Sequence, residues 1–332
     1  MSEISGGNDS MDETGGTETG TGAETAEAVG DVSVSTEAAV PSDSVSEISS
    51  SGTEGLLAGH EISINPSETA HGMNQILETP ETLELAHVQA QIEGVHQSTL
   101  ASILERDGAY ISEQDHARIE AGLTSLKAVD NLTPGKTGGY HFDSKNSSIR
   151  VASLNETQRE RSTIHETFHF ASHNREIIVP MPDKGGYMVV NTVGTRQSSW
   201  FHSAKTGENS GYTERGRGLN EGITTMLTNR QLAEISPEKG KEAEQQQIYG
   251  HAVDLVSSLE NIVGEGALKD AYYSGNMQGL ESKVESLAGE KEFGHLRDCL
   301  DRSISDNYAE RVAATRAAQE ILARMAERNK EL

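Results

Sequence analysis

The chain has 332 residues, of which 52 are acidic and 27 are basic, and its formal net charge at pH 7 is −25. Residues 1–105 hold 19 of the acids and no Lys, Arg, Phe, Tyr or Trp, whereas the remaining 227 residues hold 33 acids, all 27 bases and all 14 aromatic side chains. A segment with so little apolar surface cannot offset the entropy lost on folding. The composition therefore predicts a disordered acidic tail over residues 1–80 and one globular domain over residues 81–332.

The composition also argues against several classes of protein. No stretch approaches 18 consecutive apolar residues, so we expect no membrane span, and the N-terminus lacks the basic start and apolar core of a Sec signal peptide. The single cysteine, Cys299, cannot form an intrachain disulfide and is expected to pack in the core. The acidic balance and the lack of a basic patch argue against a nucleic-acid partner.

The spacing of apolar residues predicts two helices at the start of the domain. The first helix covers residues 81–106, where apolar side chains recur at helical spacing. The second helix follows Ser112, which forms an N-terminal capping pattern with Asp115. The apolar stripe of this second helix is expected to consist of Ile119, Leu123 and Leu126.

Turn-forming residues divide the rest of the domain into short strands and further helices. Two hairpins are predicted, with strands at residues 140–143 and 148–153 and at residues 177–179 and 187–193. A helix is expected after Asn155, and the polar residues 194–217 are typical of a long loop. Further helices are predicted at 218–235, 241–263, 265–273, 278–288 and 291–328, the last interrupted near 303–307. The predicted fold class is α+β, mostly helical with a small sheet.

The sharpest functional pattern is H-E-x-x-H, which runs from His165 to His169 in the helix after Asn155. Residues four apart share one face of a helix, so both imidazoles can reach one metal ion. Glu166 lies beside them and can take a proton from metal-bound water. Two solvated histidines on a polar helix face would give the same pattern. The preceding hairpin favours the functional interpretation, because an exposed strand edge beside the helix can bind an extended peptide.

A second motif lies downstream, where residues 219–225 read L-N-E-G-I-T-T. Together with H-E-x-x-H, it resembles the gluzincin metallopeptidases, in which a Glu on a second helix completes the metal site within N-E-x-x-S/T-D or N-E-G-I-T-E. Asn220, Glu221 and Thr224 match this motif. Thr225 stands where the family often has a carboxylate that orients a ligand histidine. The resemblance implies a zincin-like fold and a Zn²⁺ ion held by His165, His169 and Glu221.

Other third ligands remain open. His173 continues the histidine series, but on a straight helix it lies about 6 Å further along the axis than His169. Glu176 and Glu214 are lesser candidates. A metzincin site would need Gly and His where the chain has Ser172 and Arg175, so that arrangement is excluded.

Peptide hydrolysis also needs a hydrogen-bond donor for the tetrahedral oxyanion. The gluzincin resemblance implies that a Tyr, His or Arg supplies it. Tyr212 and Tyr272 are the first candidates for this catalytic role, and Tyr273 and His251 are the others.

The sequence therefore predicts a zinc-dependent endopeptidase that acts on a protein or peptide substrate, with Glu166 as the general base. The Ser/Thr/Gly-rich tail resembles those of bacterial effectors delivered by specialised secretion systems. This resemblance implies export by a non-Sec route into a host cytosol, with secretion machinery or a chaperone as a partner; without such export the protein would be cytoplasmic. The alternative is a non-catalytic acidic protein that binds a basic partner and in which the H-E-x-x-H helix is structural.

Overall fold

A computed structural model describes residues 80–129, 137–144, 146–152, 155–245 and 249–331, and for residues 80–83 it describes the backbone alone. The predicted acidic tail therefore lies outside the described residues, except for Pro80, where the first helix begins. Residues 130–136, which precede the first hairpin, and Ser153 at the predicted end of that hairpin also lie outside them.

The described part of the chain has a mixed α+β fold in which helices predominate, as predicted. The helices are α1 (Pro80–Asp107), α2 (Glu113–Ala121), α3 (Glu156–Ala171), α4 (Arg217–Ile235), α5 (Pro237–Gln245), α6 (Gly250–Val263), α7 (Glu265–Tyr273), α8 (Met277–Ala288), α9 (Glu292–Ser303) and α10 (Tyr308–Glu331). The strands are β1 (Ser125–Val129), β2 (Gly138–His141), β3 (Ser148–Ala152), β4 (Asn174–Met181), β5 (Gly186–Val193), β6 (Arg196–Ser203) and β7 (Asn209–Arg215). Within this part, no helix is both long and apolar enough to cross a membrane.

The strands form two sheets. In the first sheet, β3 lies between β1 and β2, parallel to β1 and antiparallel to β2. The second sheet is an antiparallel meander in the order β4-β5-β6-β7. Both predicted hairpins are confirmed, the first as β2 and β3 and the second as β4 and β5.

Three predicted segments were wrong. The predicted loop at 194–217 contains β6 and β7; β7 is exposed along its whole length, so no apolar alternation marks it. Leu123 and Leu126 do not lie on the second helix, because α2 ends at Ala121 and the following Gly122 has a φ of 77°, which is accessible mainly to glycine. Leu126 lies in β1 instead. The predicted helix at 241–263 corresponds to two helices, α5 and α6, and α5 already begins at Pro237.

The core fixes α3 and α4 side by side. The side chain of Asn155 caps α3 by accepting a hydrogen bond from the Gln158 backbone N–H, and Phe168 on this helix is fully buried. On α4, a Cβ atom at Gly222 would lie 2.7 Å from Val256 Cγ2, so only glycine allows α4 to approach α6 so closely. Cys299 is buried in α9, as predicted.

Candidate metal centre

Three side chains from α3 and α4 converge on one point. His165 Nε2 lies 3.3 Å from Glu221 Oε2 and 3.2 Å from His169 Nε2, and His169 Nε2 lies 3.5 Å from Glu221 Oε2. Ligand atoms held about 2.0–2.1 Å from a tetrahedral ion are themselves about 3.3 Å apart. The three atoms thus have the spacing of one face of a tetrahedral metal site, and these residues could hold a metal ion.

The surrounding helices hold these ligands in place. The two histidines are one turn apart on α3, and Glu221 lies in the first half of α4. The N-terminus of α4 is fixed by Asp301, whose carboxylate accepts hydrogen bonds from the backbone N–H groups of Gly216 at 2.7 Å and Gly218 at 2.6 Å. These two backbone N–H groups would otherwise lack a hydrogen-bond partner at the start of the helix. Because they bind Asp301, the first turn of α4 is fixed, and Glu221 follows one turn later.

The back of the His169 ring contacts α4. Its Nδ1 lies 3.3 Å from Thr224 Oγ1 and 3.3 Å from Asn220 Nδ2. The Thr224 hydroxyl donates to the Asn220 carbonyl at 2.8 Å, so its oxygen remains available as an acceptor. In the tautomer that binds a metal through Nε2, His169 Nδ1–H therefore donates to Thr224, an arrangement that orients a ligand imidazole.

Burial and charge push the pKa values of the two carboxylates in opposite directions. Burial raises the pKa of Glu166, and the nearby His165 and His169 offset this only in part. Burial alone would raise the pKa of Glu221 as well, but the two histidines outweigh it and hold the pKa of Glu221 well below its ordinary value. Glu221 is therefore suited to bind a cation as a carboxylate, and Glu166 is the more basic of the two.

Glu166 lies against β2. Its carboxylate accepts a hydrogen bond from the Tyr140 backbone N–H, and the side chain is buried. Gly138 leaves the room that this carboxylate needs, since a Cβ atom there would lie 2.7 Å from Glu166 Oε1. The general base proposed from sequence is thus fixed by the edge strand of the first sheet.

A cavity of about 720 Å³ opens onto the metal ligands. The cavity is lined on one side by residues 137–142, which contain β2, an edge strand of the first sheet. It is also lined by side chains from one face of the second sheet. The metal ligands and Glu166 line the region between them. An extended chain could therefore lie between the two sheets and reach the metal site.

The two predicted oxyanion donors lie in different surroundings. Tyr212 on β7 is 61% exposed and lines the cavity, where its hydroxyl donates to Glu214 Oε1 at 3.0 Å. Tyr272 is fully buried behind His169, with its hydroxyl 2.8 Å from Thr224 Oγ1, and does not line the cavity. The structure therefore does not bring Tyr272 to a position where it could contact a substrate.

The other candidates from sequence do not join the metal group. The imidazole of His173 donates from Nδ1 to Asp115 Oδ2 at 2.9 Å, and Glu176 accepts from Ser144 Oγ at 2.8 Å. Glu214 lines the cavity but pairs with Arg196, with 2.7 Å between Arg196 Nε and Glu214 Oε1. These contacts occupy all three rivals of Glu221 as the third ligand.

His251 and Tyr273 also lie away from the cavity wall, His251 exposed at the start of α6 and Tyr273 buried with its hydroxyl donating to Asp107 at 3.2 Å. The expectation for Thr225 is corrected as well. Its neighbour Thr224, and not Thr225, contacts the ligand ring, and Thr225 Oγ1 makes no hydrogen bond within the described residues. The rotation of α4 about its axis decides which of the two threonines faces His169.

Sequence reasoning missed two cavity residues, Arg217 and Tyr249. The Arg217 guanidinium donates a hydrogen bond to the Tyr249 hydroxyl, and both groups interact electrostatically with Glu221. Arg217 lies one helical turn before Glu221, so helical spacing could have identified it. Tyr249 immediately precedes α6, and no local pattern points to it.

Comparison of the chain with known protein families, with curated proteins and with solved structures finds no match. The chemistry of the site therefore has to be argued from its own geometry.

Proposed function

We propose that this protein is a zinc-dependent endopeptidase of the gluzincin type. The observation that carries the proposal is the tetrahedral spacing of the donor atoms of His165, His169 and Glu221, with Glu166 beside them in an open cavity. Two imidazoles and one carboxylate leaving a fourth position open are a ligand set that suits catalytic zinc. Bound Zn²⁺ would supply a Lewis acid that polarises the peptide carbonyl and increases the acidity of a water molecule.

Glu166 is the general base in this proposal. It takes a proton from the attacking water and passes that proton to the leaving amine, so that one carboxylate serves both steps. Its burial and the hydrogen bond from the Tyr140 backbone N–H support this role, because they fix the carboxylate toward the cavity. Fixed orientation of this kind lowers the barrier by removing the entropy of finding the reacting geometry.

The first sheet offers a place for the substrate backbone. β2 is the edge strand of its sheet and pairs only with β3 among the described strands. Residues 137–142 line the cavity along this strand. The Tyr140 N–H of this strand already donates to Glu166. An extended peptide would therefore add through the other main-chain groups of the edge, largely independent of side-chain identity. The scissile bond would then lie next to Glu166.

Arg217 and Tyr249 are the better candidates for the oxyanion donors. They line the cavity near Glu221, and each is oriented by its hydrogen bond to the other. Tyr212 retains access to the cavity but uses its hydroxyl to bind Glu214. Donors aimed at the developing negative charge typically contribute about 10²–10³ in rate.

The test combines metal analysis with a catalytic variant. Purified protein should contain about one zinc ion per chain, and His165→Asn should lose it. His173→Asn is the matched control, since that imidazole pairs with Asp115 and lies outside the metal group. Glu166→Gln should keep its zinc and its melting temperature while hydrolysis falls by about 10²–10⁴-fold.

A comparison of new N-termini in a proteome treated with wild-type or Glu166→Gln protein would identify the substrate. Protein that takes up no zinc after supplementation, or a Glu166→Gln variant that cleaves like the wild type, would refute the proposal. The first of those results would favour the acidic binding protein instead.

A further inference from the structure

The second sheet connects the two helices that carry the metal ligands. The chain leaves α3 and enters β4 at Asn174, and β7 leads directly into α4. This end of the sheet is tied to the site: Asn174 Nδ2 donates to the Ser172 carbonyl at 2.7 Å, and the Thr195 N–H donates to Asn220 Oδ1 at 3.0 Å. The strands therefore run outward from the metal centre, with the Met181–Gly186 turn at the far end.

Strand register arranges the cavity side of this sheet in rows. The row nearest the helices contains Val193 and Arg196, which pair with each other and line the cavity. The row after it is polar and consists of Asn191, Ser198 and Glu214, which pair across the strands and also line the cavity. The next row outward is apolar. It consists of Ile178, Val189 and Trp200, which pair in register, and of Tyr212, which shares a face of β7 with Glu214 beside an irregularity in the β6–β7 register. We call it the apolar row. Side chains two residues apart on one face are about 7 Å apart, so this row begins one side-chain spacing beyond the polar one.

The apolar row is accessible and continuous with the candidate active site. Tyr212 is 61% exposed, Ile178 is 56% exposed, and Val189 is buried between them. Trp200 and Tyr212 line the same cavity as the metal ligands. Exposed apolar side chains that border a polar region typically mark a binding surface.

Exposure alone does not distinguish the two faces of the sheet. Ile177 and Val179, which point to the opposite face by strand alternation, are 38% and 45% exposed. They do not line the cavity. Ile178 and Val189 do not line the cavity either, but strand register places them in one row with Trp200, which does line it. This continuity through Trp200 singles out the apolar row.

We propose that the apolar row determines substrate specificity by binding a large aliphatic or aromatic side chain of an extended peptide. The occupant is a substrate segment rather than a second copy of this chain, because Trp200 and Tyr212 of the apolar row line one cavity with the polar row, Glu166 and the candidate metal ligands. The peptide backbone would bind between the two sheets, its scissile bond at Glu166, and a side chain on one side of that bond would pack on Trp200 and Tyr212. This inference rests on the proposed peptidase function.

The chain contains a single tryptophan, Trp200, so its fluorescence reports on the apolar row directly. The probes are blocked decapeptide libraries in which one position is fixed as Leu, Phe or Ser, titrated into zinc-supplemented full-length Glu166→Gln protein. Libraries fixed as Leu or Phe should bind about tenfold or more tightly than those fixed as Ser, and they should shift the Trp200 emission to shorter wavelength.

Two neighbouring residues provide matched variants. Ile178→Ser and Tyr212→Ser should each reduce the preference for Leu and Phe over Ser by about threefold or more, measured by anisotropy of labelled peptides. Val179→Ser changes an exposed apolar residue of the same strand on the opposite face and should leave the preference unchanged. Equal effects of Ile178→Ser and Val179→Ser would overturn the proposal, as would equal affinities of the three libraries.

The same measurements separate this inference from the peptidase proposal. Selective binding of Leu or Phe libraries by Glu166→Gln protein, without any cleavage by the wild type, would refute the peptidase and leave the apolar row as a peptide-binding surface. Cleavage without side-chain preference would support the peptidase and refute the role of the row. A concentration-dependent dimer that excludes the peptides would also refute it, because a second copy would then cover the row.

Discussion

Gly138→Ala should displace Glu166, the proposed general base, without disturbing the three candidate metal ligands. An added Cβ atom would lie 2.7 Å from Glu166 Oε1, 3.0 Å from its Cγ and 3.2 Å from its Cδ. An unstrained contact needs about 3.4 Å or more, so the carboxylate must retreat by about 0.7 Å. Glu166 is buried and hydrogen-bonded to Tyr140, so this movement weakens its fixed orientation.

The expected loss in kcat/KM is about 10- to 100-fold, since a displacement of about 1 Å at a reacting group can cost about 10²-fold. Stability should change little. Weakening one hydrogen bond lowers the free energy of unfolding by about 1 kcal/mol. Replacing a glycine reduces the entropy of the unfolded chain, which raises the free energy of unfolding by about 0.4–1 kcal/mol and offsets most of that loss. The assay is hydrolysis of a fluorescence-quenched decapeptide library, with zinc affinity and melting temperature measured on the same samples.

Gly139→Ala is the matched control, because a Cβ atom at the next residue meets nothing within 4 Å. It should retain wild-type activity. The reasoning is refuted if Gly138→Ala keeps full activity, or if both alanine variants lose activity to the same extent. A loss of zinc in Gly138→Ala would also contradict it, since Gly138 contacts the base and not the ligands.

Three further predictions address the metal, the pH dependence and the tail. Thr224→Val should weaken zinc binding by about tenfold in a chelator competition, because it removes the acceptor of His169 Nδ1–H, whereas Thr225→Val should have no effect. Burial lowers the pKa of His96 from 6.5 to about 4, so protonation favours the unfolded chain and the metal-free protein should lose stability as the pH falls from about 6.5 toward 4. Urea unfolding over this pH range should detect a decrease in the free energy of unfolding of at most about 3 kcal/mol. The decrease should be absent in His96→Asn and should persist in a variant of the exposed His87. Deleting residues 1–79 should change the melting temperature by less than about 2 °C and, if the tail directs delivery, abolish export; an insoluble product would contradict the domain boundary.

Local periodicity determined much of this protein from the sequence. The i, i+4 spacing of His165 and His169 put both imidazoles on one helix face, and the structure confirms the helix, which Asn155 caps. The α+β class and both hairpins were also predicted correctly, because apolar runs and turn residues are local signals. Strands β6 and β7 were missed because neither has alternating apolar residues: β7 is exposed along its whole length, and in β6 the two aromatic residues Trp200 and Phe201 are adjacent.

The tertiary structure alone decided which elements meet. Glu221 is 52 positions beyond His169, and a sheet lies between them in the chain. The number of intervening residues does not predict the distance between the two side chains. Without a family resemblance, spacing therefore could not choose among Glu221, Glu214 and Glu176 as the third ligand. The contact of Thr224 rather than Thr225 with His169 depends on the rotation of α4, which close packing at Gly222 against α6 sets. The sequence by itself determined which residues share a helix face. Which faces pack together, and which side chains consequently border the candidate metal site, depends on contacts between residues far apart in the chain.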